Sequence, residues 1–97
     1  MEGKHVIVRA YSGLFFGRLI KKTGDTVELA DARQIWRWGS AGLSEPANTA
    51  GDLAVRGCGT NSKISSPVSR ALIEEVRATF ECTAAAVERF SAQRWAQ

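Results

Sequence analysis

The sequence has few of the residues that carry enzymatic and metal chemistry. It contains one histidine, His5, and two cysteines, Cys58 and Cys82, far apart in the chain. A structural zinc takes several Cys or His ligands set in close pairs, so no metal is expected. General acid–base catalysis usually enlists a histidine or a carboxylate with a displaced pKa. His5 stands alone, and the carboxylates are scattered singly apart from Glu74-Glu75, which on a strand would point to opposite faces. No serine lies in a nucleophile-elbow pattern. The run Gly57-Cys58-Gly59-Thr60-Asn61-Ser62-Lys63 lacks the glycine directly before lysine and the apolar strand of a phosphate loop, so it reads as a turn. No apolar run approaches the length of a membrane span. No leader-like segment opens the chain, which points to the cytoplasm and to reduced thiols. A Cys58–Cys82 disulfide is left open by the sequence. Cys82 next to a possible helix start reads either as an activated thiol or as a buried, inert one. The expectation is a binding protein, not an enzyme, with no cofactor and no membrane association.

What is present suits one small globular domain over residues 1–97. Hydrophobic residues at 44% and charged residues at 24% exclude a disordered chain. A core of this size gives marginal stability, and oligomerisation is one common remedy. Net charge is +3, and nine of the thirteen cations are arginine. Arginine's planar fork suits phosphate and carboxylate and stacks on rings, which hints at an anionic partner.

The patterning predicts a mostly β, α+β fold: a small antiparallel β-barrel or sandwich-like sheet, a short middle helix and a C-terminal helix. His5–Tyr11 is rich in β-branched residues, and Ser12-Gly13 is a turn of hairpin length. Leu14–Lys22 follows, with Gly17 marking a bulge or tight bend. Thr26–Ala32 alternates as a third strand. Gln34–Trp38 reads as a fourth, with Trp36 and Trp38 on one face and Ile35 and Arg37 on the other. Asn48 or Thr49 caps a helix through Arg56, ended by Gly57. Residues 69–95 fit either one long helix or a strand at about 71–80, a break at Cys82-Thr83 and a helix at about 84–93.

Asp31–Trp38 (DARQIWRW) is the most informative stretch. It sets two tryptophans among Arg33 and Arg37, with Arg9, Tyr11 and Phe16 on neighbouring strands. Aromatic faces stack on nucleobases and arginines hold phosphates, so one sheet offers both halves of a nucleotide site. The competing reading makes Trp36 and Trp38 core anchors.

The segments HVIVRAYSG, FFG, LADARQIWRW, ANTAGDLAVRG, KISSPV and ECT, in this order, resemble a family of small proteins common in tailed-phage genomes. That family is in turn similar to the Thoeris anti-defence one family, small oligomers that sequester cyclic ADP-ribose-type immune signals, with relatives that capture the cyclic oligonucleotides of CBASS-type signalling. The resemblance implies a phage-encoded sponge in the host cytoplasm, without catalysis, with a cyclic nucleotide held at a subunit interface of a homo-oligomer. It carries over Arg9, Tyr11, Arg33, Trp36 and Trp38, and places Asn48, Leu53 and Arg56 in the segment leading into the helix. Extra residues around Ala41–Ala47 depart from the pattern and put ligand choice in doubt. The full candidate set is Arg9, Tyr11, Phe16, Arg33, Trp36, Arg37, Trp38, Asn48 and Arg56. Two other readings compete. One is a small basic nucleic-acid-binding module. The other is a phage accessory protein that binds a host protein through Trp36, Trp38 or Trp95.

Overall fold

The computed structural model describes residues 1–94. Three long strands come first: β1 (His5–Ala10), β2 (Gly13–Thr23) and β3 (Thr26–Arg37). Then follow α1 (Ala50–Arg56), β4 (Lys63–Ile64), β5 (Val68–Ile73), β6 (Val76–Glu81) and α2 (Ala84–Ala92). The strands make one antiparallel sheet in the order β4-β3-β2-β1-β6, with β5 also on β3. The fold is therefore the α+β, mostly antiparallel architecture that the patterning predicts. The sheet is sandwich-like and does not close into a barrel.

Both faces of the sheet are covered, which explains why His5–Ala10 has almost no polar alternation. Val6 and Val8 point into one core with Ala10, Leu19, Val27, Leu29, Ala32 and Ile73. Ile7 points into the other, where Phe16, Ile35 and Ile64 meet Leu53, Ala54 and Phe90 of the helices. The second core holds the helices on the sheet.

The bend falls at Gly17, as expected. Between Phe16↔Arg33 and Arg18↔Ala30, Gly17 faces two residues, Asp31 and Ala32. A Cβ on Gly17 would lie 3.0 Å from the Ala30 carbonyl oxygen. Asp31 takes φ 52°, a left-handed conformation that aspartate tolerates better than most residues. The two strands expected over 26–38 are thus one strand with a bulge inside it. Residues 69–82 are strand and not helix, yet not a single strand. Glu74-Glu75 forms a turn with Glu75 at φ 53°. The turn joins β5 on the β3 edge to β6 on the β1 edge, so these glutamates mark a corner. Backbone bonds Tyr11 N–H to Glu75 O (3.1 Å) and Val76 N–H to Asp25 O (2.8 Å) pin it.

The helix boundaries match the caps. The Thr49 side chain accepts from Asp52 N–H, and the Asp52 carboxylate accepts from Thr49 N–H in return, a capping box. Gly57 ends α1 at φ 81°. The Thr83 hydroxyl accepts from Ala86 N–H at 3.1 Å and donates to Val55 O at 2.7 Å, tying α2 to α1.

Phe16 is sandwiched between His5 (5.4 Å) and Phe90 (4.7 Å) and is only 3% exposed. Burial, and secondly the charge of Arg18, hold the His5 pKa below the ordinary 6.5. The folded state therefore favours neutral His5. Its contribution to stability is complete above pH 6.5 and is lost as pH falls from there toward the depressed folded value. The urea midpoint is expected to fall between about pH 7.5 and about pH 5.5, and to fall less in His5→Gln.

Candidate ligand-binding surface

The structure divides the nine residues singled out by sequence. Four are committed to the fold, and a fifth, Asn48, stays exposed at the α1 cap. Phe16 belongs to the helix-side core, because its ring fills the space between sheet and α2. Arg33 is 4% exposed; its Nε donates to Ser65 O at 2.7 Å and its Nη1 to Phe90 O at 2.7 Å. Phe90 O is one of the last carbonyls of α2, which lack partners within the helix, so Arg33 caps that end. Trp38 packs on the helix-side core and donates Nε1–H to Ala47 O at 3.0 Å. Asn48 is exposed beside the α1 cap, and its N–H donates to Asp52 Oδ2. Arg56 lies between Asp52 (2.8 Å) and Glu45 (3.0 Å). Its hydrogen bond and charge contact with Asp52 push its pKa up, so this guanidinium is already neutralised.

Trp36 and Trp38 do not share a face. β4 pairs Ile35 with Ile64 and Arg37 with Lys63, which leaves Trp36 as an extra residue on β3. The bulge turns Ile35 inward while Trp36 and Arg37 both face solvent; Trp36 is 63% exposed. Beyond the strand end, Trp38 folds back on the core.

Besides Asn48, four nominated residues remain accessible: Arg9, Tyr11, Trp36 and Arg37. Arg9 sits on the helix side of β1, where it lines a cavity of about 390 Å³ with Thr49, Ala50, Gly51 and Phe80. The other three gather at one end of the sheet. Leu14↔Ile35 is the last β2–β3 pair there, so the β1–β2 turn carrying Tyr11 lies beside the chain carrying Trp36 and Arg37. The Gln34 side chain reaches Ser12 O of that turn. Tyr11 is 69% exposed.

Lys63 is the residue sequence reasoning missed. Its strand has two residues, too few to produce a pattern. The ladder sets Lys63 directly opposite Arg37. Like charges at opposed positions of an antiparallel pair repel. Among the described residues the ion pairs involve only Arg56 and Arg70, so no carboxylate relieves this repulsion. The sheet end thus carries two adjacent cations beside two exposed rings. Such a surface can receive a phosphate between the cations and a planar ring against Trp36.

The other chemistries considered from sequence find no support in the geometry. N–H groups of the 57–62 loop are turned to carbonyls: Gly59 to Gly39 O and Thr60 to Ala41 O. They form no open cradle for an anion. Cys58 and Cys82 are free thiols. Burial raises the pKa of both, and burial with the charge of Glu81 pushes Cys82 up to about 12, so the start of α2 does not activate it. The extra residues 41–47 are tied to the body by Ala41 N–H to Asn61 Oδ1 and by Trp38 Nε1–H to Ala47 O, and Leu43 packs on the helix-side core. Among the described residues, no three of the His, Cys, Asp and Glu side chains cluster to hold a metal, and no helix is long and apolar enough to cross a membrane. Trp95 lies outside the described residues.

A family model described as a domain of unknown function, DUF6948, matches residues 3–90. The chain belongs to the DUF6948 family. No curated protein and no solved structure matches it. Membership covers nearly the whole fold, from Gly3, two residues before β1, to Phe90 in α2. It brings no ligand and no reaction with it.

Proposed function

We propose that this DUF6948 protein is a non-catalytic binding protein that sequesters a cyclic nucleotide signal at the Tyr11–Trp36–Arg37–Lys63 end of its sheet. The observation that carries the reading is the unrelieved Arg37–Lys63 pair beside exposed Trp36. The resemblance to tailed-phage proteins and to the Thoeris anti-defence one family supports the same reading and assigns the site to the host cytoplasm. A sequestering protein needs affinity and preorganisation only. Nanomolar holding corresponds to about 12 kcal/mol of binding free energy.

One copy offers a single open wall. Small-molecule sites usually bury most of the ligand surface, so a second copy is needed to close over it. The Arg9 cavity is a separate feature and is not included in this site.

The openness of the surface favours a second reading, a single-stranded nucleic acid tracked across Trp36 and Tyr11. Salt separates the two. Binding that tracks a phosphate backbone falls steeply as ionic strength rises. A thermal-shift panel of cyclic ADP-ribose isomers, cyclic di- and trinucleotides and short oligonucleotides tests both readings. A cyclic ligand at hundredfold excess over its Kd is expected to add about 2.7 kcal/mol, a rise of several degrees. Silence from every cyclic species, with salt-sensitive binding of oligonucleotides, would replace the first reading by the second.

A further inference from the structure

The sheet's failure to close leaves a cavity of about 460 Å³ between the start of the chain, the far end of β2 and β6. It is lined by Met1, Glu2, Leu19, Lys22, Val76, Arg77, Ala78 and Thr79. Its volume is in the range of small-molecule sites. Leu19 and Val76 belong to or pack on the second core, so the floor is apolar. Lys22 pairs with core residue Val27 and therefore stands on the core-facing side of β2, where the strand runs past its hydrophobic cover. Arg77 is the extra residue where β6 shifts register, between Ala78↔Arg9 and Val76↔Ala10. Neither cation has a carboxylate partner among the described residues. Glu2 brings a negative charge to the same lining.

From these features we infer that the open seam of the sheet is a second binding site, for a small zwitterion with an apolar body: a free amino acid of the leucine type. Lys22 and Arg77 take the carboxylate, Glu2 takes the ammonium group, and Leu19 and Val76 hold the side chain. The cavity shares no lining residue with the Tyr11–Trp36–Arg37–Lys63 surface, and it fails or stands independently of that surface.

The test is an amide NMR titration of the full chain with L-leucine, 4-methylpentanoate and 3-methylbutylamine. Leucine is expected to move the amides of Val76–Thr79 and Lys22 saturably. The probe lacking the ammonium group should bind at least tenfold more weakly, and so should the probe lacking the carboxylate. Glu2→Gln is expected to erase the preference for leucine over 4-methylpentanoate, and Arg77→Ala to weaken both. No saturable shift with leucine up to millimolar concentration, or equal binding of all three probes, would overturn the assignment.

Discussion

Arg33→Met is expected to lower the melting temperature by roughly 8–24 °C. The side chain holds Ser65 O with Nε and Phe90 O with Nη1, each at 2.7 Å, from a position 4% exposed. Methionine fills part of the volume but donates nothing. Two acceptors then lose their partners, and each buried unsatisfied group costs about 1–3 kcal/mol. Some of that loss is offset because an unpaired guanidinium no longer has to be desolvated; burial already pulls its pKa down. A net loss of about 2–3 kcal/mol remains, and each kcal/mol moves the melting point of a domain this size by about 4–8 °C. Calorimetry reads the effect directly. A ligand-binding role for Arg33 would give the opposite pattern, with stability kept and affinity lost.

Lys63→Glu is expected to change stability and binding in opposite directions. Lys63 faces Arg37 across the β3–β4 ladder, and neither forms an ion pair among the described residues. A carboxylate in its place turns cross-strand repulsion into attraction, a stabilisation of about 0.5 kcal/mol. The same change removes half of the proposed phosphate clamp and puts a negative charge beside the other half. Charged hydrogen bonds are worth about 1.5–3 kcal/mol, so nucleotide affinity should drop about 10- to 100-fold. Denaturant titration gives the first quantity and equilibrium binding the second. Unaltered affinity in a stabler Lys63→Glu protein would mean that the cation pair binds no ligand.

Strand and helix identities were readable wherever a local rule governs them. Thr49 and Thr83 cap, Gly57 terminates, Gly17 allows close approach, and each lies where its chemistry predicts. The misreadings share one cause. Bulges at Asp31 and Trp36 break the two-residue period, and the alternation rule has no way to register an inserted residue. That is why alternation alone puts Trp36 and Trp38 on one face, where the structure separates them. The Glu74-Glu75 turn was hidden because β5 and β6 both alternate tolerably and merge on paper into one strand. Site residues were harder still. Arg33 and Arg37 are four positions apart and chemically identical, yet one is spent on two carbonyls and the other makes no ion pair among the described residues. Only the packing of α2 and the position of Ser65 distinguish them, and both come from distant parts of the chain.

The most direct test of the ring-and-phosphate site is an NMR titration that follows the tryptophan indole N–H resonances. The chain has three tryptophans, and Trp38 Nε1–H is tied up on Ala47 O while Trp36 is open. Addition of the cyclic nucleotide that gives the largest thermal shift should move the Trp36 indole signal and the amides of Arg37, Lys63 and Tyr11, and leave the Trp38 indole in place. Movement confined to other surfaces, or no movement with any cyclic nucleotide, would contradict the assignment of this sheet end as the binding site.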